Sequence, residues 1–351
     1  MPERTFTHLL ITGGAGFIGS NFVRFVMEHR SGVRITNLDA LTYSGNLENL
    51  AGVEESDDYR FARGDINDLE MVRGLLAECD AVVNFAAESH VDRSIQDASP
   101  FITSNVAGAQ TLLQACREAW PDEGRVGRFL QVGTDEVYGS LPLDDPSVLF
   151  TESTPLDPSS PYSASKAAAD MLAMAFQRTF GMDVVVTRCS NNYGRYQFPE
   201  KVIPLFVTNL MQGEQVPLYG DGKNVRDWLH VDDHCEAILA VLEGGRSGEV
   251  YNIGGNNERS NLELTHAILD IMGLGEDRIR YVPDRLGHDR RYAIDASKIK
   301  AELGWEPSRS AWPEGLEGTV RWYREHEDWW RRVRSGAYRD YYEKTYGATT
   351  R

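Results

Sequence analysis

A hydroxyl and two adjacent carboxylates close an apolar segment in the middle of the chain. Residues 129–132 read as a buried strand, and Thr134, Asp135 and Glu136 follow directly after one glycine. In an open parallel α/β sheet, ligands bind in the crevice outside the carboxyl ends of the strands. We therefore expect these three side chains to line such a crevice.

A tyrosine and a lysine further along the chain supply the chemistry of alcohol oxidation. Tyr162 and Lys166 are four residues apart and so share one face of a helix. A neighbouring ammonium group lowers the pKa of a phenol by favouring the phenolate, which can then take a hydroxyl proton as a hydride leaves for a nicotinamide. Thr134 can hydrogen-bond the same oxygen. We expect one catalytic cluster of these residues and the two carboxylates, with a nicotinamide cofactor beneath it.

The paired carboxylates need a further explanation, because oxidation of an alcohol requires neither of them. A ketone acidifies the carbon beside it, and loss of water from there needs one group to remove that proton and another to protonate the departing hydroxyl. Asp135 and Glu136 can divide these tasks if their environments hold one protonated and one ionised. The alternative is a structural Asp-Glu pair that caps the next turn.

A glycine-rich turn follows the first apolar run, residues 8–12, and leads into apolar residues at helical spacing. Gly13, Gly16 and Gly19 allow the backbone to approach a pyrophosphate, whose charge is met by amides at the helix N-terminus. Asp39 ends a second strand, twenty residues after Gly19. An acidic side chain there can accept from ribose hydroxyls and repels a 2′-phosphate, which favours NAD over NADP. The alternative is a structural glycine turn with a solvent-exposed Asp39.

Further apolar runs alternate with helical segments, which is typical of βαβ units and a parallel sheet. We predict an α/β fold, a Rossmann-type doubly wound parallel sheet with a smaller, interleaved α/β substrate-binding lobe. The further predicted strands are residues 34–38, 59–62, 81–87 and 183–188. The predicted NAD-binding domain is 1–190 plus about 225–252, the predicted second, substrate-binding domain is about 191–224 plus 253–325, and an aromatic-rich C-terminal tail is 326–351.

Composition limits the class of protein. The 351 residues contain 53 acidic and 36 basic side chains, a net charge of −17, which argues against nucleic acid or an anionic membrane as a partner. No apolar run approaches membrane-spanning length, and no signal peptide is evident. The four cysteines have neither CxxC nor Cys/His spacing, so we expect reduced thiols, no metal and a cytoplasmic location.

Five motifs together resemble a known family. These are residues 13–19, 134–136, 162–166, 191–194 and 226–228. They are similar to those of the extended short-chain dehydrogenase/reductases and, more narrowly, of the dTDP-glucose 4,6-dehydratases, from about residue 7 to about residue 320. The Thr-Asp-Glu triplet is the specific part, because related sugar-nucleotide 4-epimerases keep the glycines and the Tyr/Lys pair but typically carry no acid/base couple there.

The resemblance implies a three-stage reaction on dTDP-glucose with no net redox change, so that NAD remains bound. C4 is oxidised, water is lost across C5 and C6, and the hydride returns to C6. By the family pattern Tyr162 is the oxidation base supported by Lys166, Glu136 takes the C5 proton, and Asp135 protonates the C6 hydroxyl. Thr134 would hold the sugar.

The resemblance also implies two sets of binding residues. Three cations of the second set, Lys201, Arg226 and Arg285, can converge on a diphosphate within an acidic protein. The residues expected to contact NAD are Gly13, Gly16, Phe17, Ile18, Gly19, Asp39, Thr42, Asp65, Ile66, Ala86, Ala87, Ser104, Tyr162, Lys166 and Asn192. Those expected to contact the nucleotide sugar are Ser89, Thr134, Asn191, Glu200, Lys201, Val202, Pro217, Tyr219, Arg226, Asn261, Arg285, His288 and Tyr292.

Several alternatives remain open at this stage. The residues do not distinguish thymine from uracil, and a UDP-sugar 4-epimerase or decarboxylase is the competing enzyme. A redox-sensing or scaffold protein that binds NAD without catalysis is a different class. The family commonly dimerises through a four-helix bundle built from the helix before Trp120 and the Tyr162 helix, although residues 167–174 fit an internal core equally well. The aromatic tail is either a helix packed on the second lobe, or a mobile tail or subunit contact.

Overall fold

Seven parallel strands form the central sheet of the computed structural model, which describes residues 4–120, 127–284 and 287–335. The strand order reverses beside the first strand, and such a reversal marks the ligand-binding crevice of doubly wound folds. The predicted Rossmann-type fold class is confirmed. In spatial order the strands are β3 (Tyr59–Arg63), β2 (Arg34–Asp39), β1 (His8–Thr12), β4 (Ala81–Asn84), β5 (Arg128–Thr134), β6 (Asp183–Cys189) and β10 (Val250–Ile253).

The central strands read as continuous apolar runs because both faces of the sheet are covered. Every residue of β1, β4 and β5 is buried. Strand β5 is longer than predicted, because Gly133 and Thr134 still pair with β6. The predicted strand 81–87 is too long. Its partner β1 ends at Thr12, where Gly13 turns with a φ of +71°, so residues 85–87 lose that neighbour and become part of the crevice loop.

Helices cover both faces of this sheet. Side chains alternate along β1. Leu9 and Ile11 therefore enter one core with the helices that begin at Phe17 and Val231, while Leu10 enters the other core with the helices that begin at Leu69, Gly108 and Pro161. The helices are α1 (Phe17–His29), α2 (Leu69–Leu76), α3 (Val91–Gln96), α4 (Ser99–Phe101), a π-helical turn (Ile102–Ala107), α5 (Gly108–Ala119), α6 (Pro161–Phe180), α8 (Val231–Gly244) and α10 (Ser297–Leu303).

Capping residues at both ends of helix α6 determine where it begins and ends. Ser160 and Ser163 form a reciprocal capping box, Pro161 occupies the first turn, and Gly181 ends the helix with a left-handed φ of 68°. The start of the helix therefore places Tyr162 in its first turn, pointing into the protein, where it is buried.

The second half of the chain builds another apolar core. Trp228, Leu264, Tyr323 and Trp330 are buried in it, and so is Trp329 from the predicted aromatic tail, of which residues 336–351 lie outside the described ranges. The elements are β7 (Asn191–Tyr193), β9 (Val225–His230) and β11 (Glu258–Ser260) in a three-stranded sheet, β8 (Val216–Tyr219) and β12 (Ile279–Val282) in a parallel pair, and helices α7 (Val202–Met211), α9 (Asn261–Met272), α11 (Glu314–Glu325) and α12 (Glu327–Val333).

Across the three described ranges, no helix combines the length and the apolar character that crossing a bilayer requires.

Candidate active site

A cavity of about 300 Å³ lies at the carboxyl ends of the central strands. It is lined by the glycine-rich turn, by the loops after β2 and β4, and by the end of β5. It brings together every residue expected to contact NAD, the whole predicted catalytic cluster and part of the predicted substrate set. These residues are Gly13, Gly16, Phe17, Ile18, Gly19, Asp39, Thr42, Asp65, Ile66, Ala86, Ala87, Ser89, Ser104, Thr134, Asp135, Glu136, Tyr162, Lys166, Asn191, Asn192, Glu200 and Lys201.

The glycine-rich turn forms one wall of this cavity as bare backbone. A Cβ on Gly13 would lie 2.7 Å from the amide nitrogen of Ala86, and a Cβ on Gly19 would overlap the carbonyl oxygen of Gly13. Helix α1 starts directly after Gly16, which provides no side-chain cap. The first amides of the helix are therefore available to a ligand anion, which is the arrangement that binds phosphate at helix N-termini.

Asp39 is held rigidly at the rim of the same wall. Its Oδ2 accepts from the amide of Ala15 at 2.9 Å, and its Oδ1 accepts from the amide of Leu41 at 2.8 Å. Burial raises the pKa of Asp39, while these two amides act in the opposite direction. The side chain is buried rather than solvent-exposed, and it points at the turn where a ribose would follow a bound pyrophosphate.

Lys166 and Tyr162 are buried on the face of α6 that packs on β5. The Nζ of Lys166 donates to the carbonyl oxygen of Val132 at 2.6 Å. Burial lowers the pKa of Lys166, and the nearby Asp170 charge opposes this shift. The pKa of Tyr162 is well above its ordinary value, first because of burial and then because of the Glu136 charge, while a hydrogen bond with Thr134 lowers it.

The two carboxylates begin a 3₁₀ turn, Asp135–Tyr138, immediately after β5. Thr134 caps this turn, since its hydroxyl accepts from the amide of Glu136 at 3.3 Å. Asp135 is buried, and its pKa is well above the ordinary value because of burial and the negative charges of Glu136 and Asp227, with Arg226 opposing. These surroundings favour the protonated form of Asp135, which is the form that a general acid requires.

Arg226 and Tyr292 form a second group of predicted residues, close to the acid/base pair. The guanidinium carbon of Arg226 lies 4.2 Å from the ring centroid of Tyr292, and its Nη2 donates to the carbonyl oxygen of Asp289 at 2.9 Å. The hydroxyl of Tyr292 donates to the Asp289 carboxylate at 2.5 Å. The pKa of Tyr292 is raised by burial and then by the Glu136 charge, which makes the two groups electrostatic neighbours.

The remaining predicted substrate residues lie on the second-lobe elements. The rings of Tyr219 and His288 have centroids 6.1 Å apart, and His288 Nδ1 lies 2.6 Å from a carboxylate oxygen of Asp284. Arg285 lies outside the described residues. Of the others, Pro217 lies on β8, Val202 is the first residue of α7, and Asn261 is the first residue of α9.

Glu200 and Lys201 connect the loop before α7 to the loop after β4. Glu200 accepts from Arg93 at 3.2 Å and lies 3.8 Å from the Nε2 of His90, while Lys201 Nζ donates to the carbonyl oxygen of Ser89 at 3.0 Å. His90, the N-cap residue of α3, thus lies beside a carboxylate.

Some residues that line the cavity were not predicted from the sequence. Their loops lack periodicity, and only the aromatic and amide side chains close to the glycine and Asn-Asn-Tyr-Gly motifs could have indicated them. Cys189 follows a predicted strand but carries a protonated thiol, because burial raises its pKa to about 12. Among the described residues, no group of three or more His, Cys, Asp or Glu side chains could hold a metal. The main additions are Tyr43, Gly45, Glu88, Cys189, Ser190, Gln197 and Phe198.

Comparisons with known proteins agree with this geometry. A family model described as GDP-mannose 4,6 dehydratase matches residues 10–316. A dTDP-glucose 4,6-dehydratase of Streptomyces niveus is 54% identical over 331 residues, which cover 93% of this chain and 96% of that protein.

Solved structures also match this chain over most of its length. The dTDP-glucose 4,6-dehydratase DesIV of Streptomyces venezuelae, crystallised with NAD, matches with a TM-score of 0.88 and 53% identity over 93% of this chain and 99% of that one. A UDP-glucose 4-epimerase of Thermotoga maritima matches with a TM-score of 0.80 and 32% identity over 91% and 99%. The chain therefore belongs to the GDP-mannose 4,6 dehydratase family, within the extended short-chain dehydrogenase/reductases.

Proposed function

We propose that this protein is a dTDP-glucose 4,6-dehydratase, a hydro-lyase that converts dTDP-D-glucose to dTDP-4-keto-6-deoxy-D-glucose and water with NAD bound throughout. One observation carries the proposal: the buried Asp135, whose pKa is raised, and the adjacent Glu136 line a single cavity together with Tyr162. Oxidation or epimerisation at C4 needs the tyrosine but not the carboxyl pair, whereas elimination of water needs both an acid and a base.

The cavity fits NAD in three ways. The turn at Gly13 and Gly19 packs too closely against neighbouring backbone to admit a side chain, the uncapped first amides of α1 would meet a pyrophosphate, and the Asp39 carboxylate beside the turn would accept from ribose hydroxyls. Asp65, Ile66, Ser104 and Asn192 also line the cavity, and Asp65 and Ile66 are proposed to face the adenine. When bound, NAD supplies the acceptor that takes a hydride from C4 and returns it to C6, and its nicotinium charge favours the Tyr162 phenolate.

In the oxidation stage the residues of α6 move one proton. The Tyr162 oxygen accepts the proton of the C4 hydroxyl, and Thr134 donates or accepts at the same oxygen. Lys166 is anchored on β5 by its bond to Val132, and its positive charge stabilises the phenolate. Burial of Tyr162 opposes the phenolate, so this positive charge is essential to the step.

In the elimination stage the carboxyl pair acts on the neighbouring carbons. The C4 ketone acidifies C5, and Glu136 removes the C5 proton and gives a proton back to C5 when the hydride returns to C6. Asp135 gives its proton to the C6 hydroxyl, which leaves as water. The like charge of Glu136 and the burial of Asp135 together hold the proton on Asp135 until the leaving group needs it. Each transfer of this kind contributes on the order of 10²–10⁴-fold in rate.

The nucleotide sugar is proposed to span the two lobes. Ser89 and Thr134 hold the hexose, and Lys201, Arg226 and Arg285 neutralise the diphosphate. The remaining residues, which would surround the nucleoside and the rest of the sugar, are Asn191, Glu200, Val202, Pro217, Tyr219, Asn261, His288 and Tyr292. The division into an NAD-binding domain and a nucleotide-sugar-binding domain is part of the proposal, and the apolar cores cross its predicted bounds, since Ile299 packs in a core of the central sheet and Trp228 packs in the core of the second half.

We also propose a cytoplasmic homodimer. The four cysteines are buried free thiols, which suits a reducing compartment. Helices α5 and α6 lie side by side, and Met171 and Ile102 on this side of the fold are 63% and 53% exposed. Pairing of α5 and α6 with the same two helices of a second copy would bury these side chains in a four-helix bundle.

The proposal is tested by incubating the purified protein with dTDP-glucose and with UDP-glucose in parallel, without added reductant, and measuring the masses of the products by mass spectrometry. A dTDP sugar lighter by one water supports it. An isomer of unchanged mass would indicate a 4-epimerase, and loss of carbon dioxide from a UDP-uronic acid, supplied in a third reaction, would indicate a decarboxylase. No turnover of any nucleotide sugar, with NAD retained, would indicate a binding protein.

A further inference from the structure

A buried ion pair lies directly behind the catalytic cluster and has no place in the mechanism above. Asp170 is one helical turn after Lys166 on α6, and its Oδ2 accepts from the Nε of Arg188 on β6 at 2.9 Å. Both side chains are almost completely buried. Removing two charges from water is costly, and a buried pair is weak evidence for stability in its own right. Its location at the active site therefore needs a separate explanation.

Asp170 lies against the strand that carries the acid/base pair. A Cβ on Gly133 would be 3.1 Å from both carboxylate oxygens of Asp170, so the glycine before Thr134 leaves space for this carboxylate. Gly133 is also the sheet partner of Arg188. The carboxylate, the guanidinium and the end of β5 thus meet at one point. Asp170 also faces Lys166, whose ammonium charge it favours.

Arg188 extends the contact to the turn itself. Its Nη1 donates to the hydroxyl oxygen of Tyr138 at 3.0 Å, and that hydroxyl donates to Oδ1 of Asn252 at 2.8 Å. Tyr138 is the last residue of the turn that begins with Asp135 and Glu136. A continuous buried chain therefore runs from the lysine helix, through β6, to the turn that carries the acid and the base.

We infer that Asp170 and Arg188 are positioning residues that tie the Tyr162–Lys166 helix to the Asp135–Tyr138 turn, so that both act on one sugar. The inference rests on the proposed dehydratase function. Neither residue lines the cavity, and neither is assigned contact with substrate or cofactor. Asp170 acts through Lys166 on the oxidation stage, and Arg188 acts through Tyr138 on the elimination stage.

The two stages can be measured separately. Oxidation alone is followed with dTDP-6-deoxyglucose, which has a C4 hydroxyl but no C6 hydroxyl to lose, by the near-ultraviolet absorbance of the reduced nicotinamide. The C5 proton transfer alone is followed by deuterium uptake from D₂O into dTDP-4-keto-6-deoxyglucose. Wild-type protein that performs neither reaction would contradict the proposed function itself, before any variant is compared.

Three variants test the inference. Tyr138→Phe removes one hydroxyl and should slow C5 exchange on the order of 10-fold while leaving oxidation nearly unchanged, since displacements near 1 Å can cost as much as 10²-fold. Asp170→Asn should slow oxidation more than exchange. Arg188→Lys keeps the charge and should retain more of both activities than Arg188→Met.

The chain offers a matched control at the opposite end of the same two strands. Arg128 on β5 and Asp183 on β6 form another buried pair, 3.1 Å apart, far from the crevice. Arg128→Met should lower the thermal midpoint and leave both half-reactions of the folded protein unchanged. Asp170→Asn leaves the charge of Arg188 buried without its partner, and this variant can fail to fold. Tyr138→Phe is therefore the variant that decides whether the inference holds. Equal loss of both half-reactions in Tyr138→Phe, or no loss of either, would overturn the inference.

Discussion

Lys166 donates a hydrogen bond to the carbonyl oxygen of Val132, with 2.6 Å between nitrogen and oxygen. Val132 lies two residues before Thr134 on the strand that leads into the acid/base turn. The helix that carries the oxidation base is thus fastened to the strand that carries the elimination groups. This contact between the helix and the strand helps to set the distance between the oxidation base and the two elimination groups.

Replacing Lys166 with Met should remove both this anchor and the positive charge beside Tyr162. The phenolate then loses a positive charge one helical turn away in a buried site, and we expect C4 oxidation to slow on the order of 10²–10⁴-fold. Oxidation of dTDP-6-deoxyglucose measures the effect. Lys166→Arg, which keeps the charge, serves as the comparison. Oxidation at the wild-type rate in the Met variant would remove Lys166 from its role.

Glu136→Gln should separate the two stages of the reaction. The amide cannot remove the C5 proton, so deuterium uptake at C5 should fall on the order of 10²–10⁴-fold, while C4 oxidation continues. Asp135→Asn provides the matched control, because it removes the proton donor for C6 and keeps the base. Undiminished exchange in the Gln variant would show that another group takes the C5 proton.

Asp39→Asn should relax the preference for NAD. The neutral amide no longer repels a 2′-phosphate, and we expect the ratio of NADP to NAD affinity to rise at least about 10-fold, equivalent to about 1.4 kcal/mol. Calorimetric titration of cofactor-free protein with each dinucleotide provides the measurement. Asp68→Asn, at the N-cap of α2, is a control carboxylate outside the cavity. An unchanged ratio would mean that Asp39 does not face the ribose.

His234 should make the protein sensitive to acid. It is fully buried beside Asn192, with 2.9 Å between Nδ1 and the amide oxygen, and burial lowers its pKa to about 3. The unfolded chain binds this proton near pH 6.5, so the free energy of unfolding should decrease as the pH falls from about 6.5 towards 3.

The check is a comparison of thermal midpoints across that pH range in wild type and His234→Gln. The variant should start lower at neutral pH and decline less steeply with acid. Parallel slopes would show that other groups control the acid transition.

The sequence predicted the parts of the fold that depend on continuous burial. The strand before Thr134 is largely apolar because helices cover both faces of the sheet, and that pattern can be recognised from the sequence alone. The end of strand β4 was predicted too late, since its limit is set by the turn at Gly13 on a neighbouring strand. The end of a strand in such a case depends on its hydrogen bonding to the neighbouring strand, which cannot be inferred from one apolar run of sequence.

In the site too, features with a local sequence pattern were predicted and features that depend on contacts between distant residues were not. The glycines, the Thr-Asp-Glu triplet and the Tyr/Lys pair have fixed local spacings, and the structure brings them to one cavity. The pairing of Asp170 with Arg188 could not be predicted, because a helix residue and a strand residue eighteen positions apart carry no shared pattern. The same holds for Glu200 with Arg93, because Glu200 comes from an aperiodic loop and Arg93 from the short helix α3, more than a hundred positions earlier.

The most direct test of the account uses dTDP-glucose carrying deuterium at C4, in ordinary water and without added cofactor. If the phenol and the carboxyl pair act on one sugar, the product should be lighter by one water and should carry the deuterium at C6. A product of unchanged mass, or a dehydrated product with the deuterium lost to solvent, would contradict the claim that oxidation and elimination share this cavity.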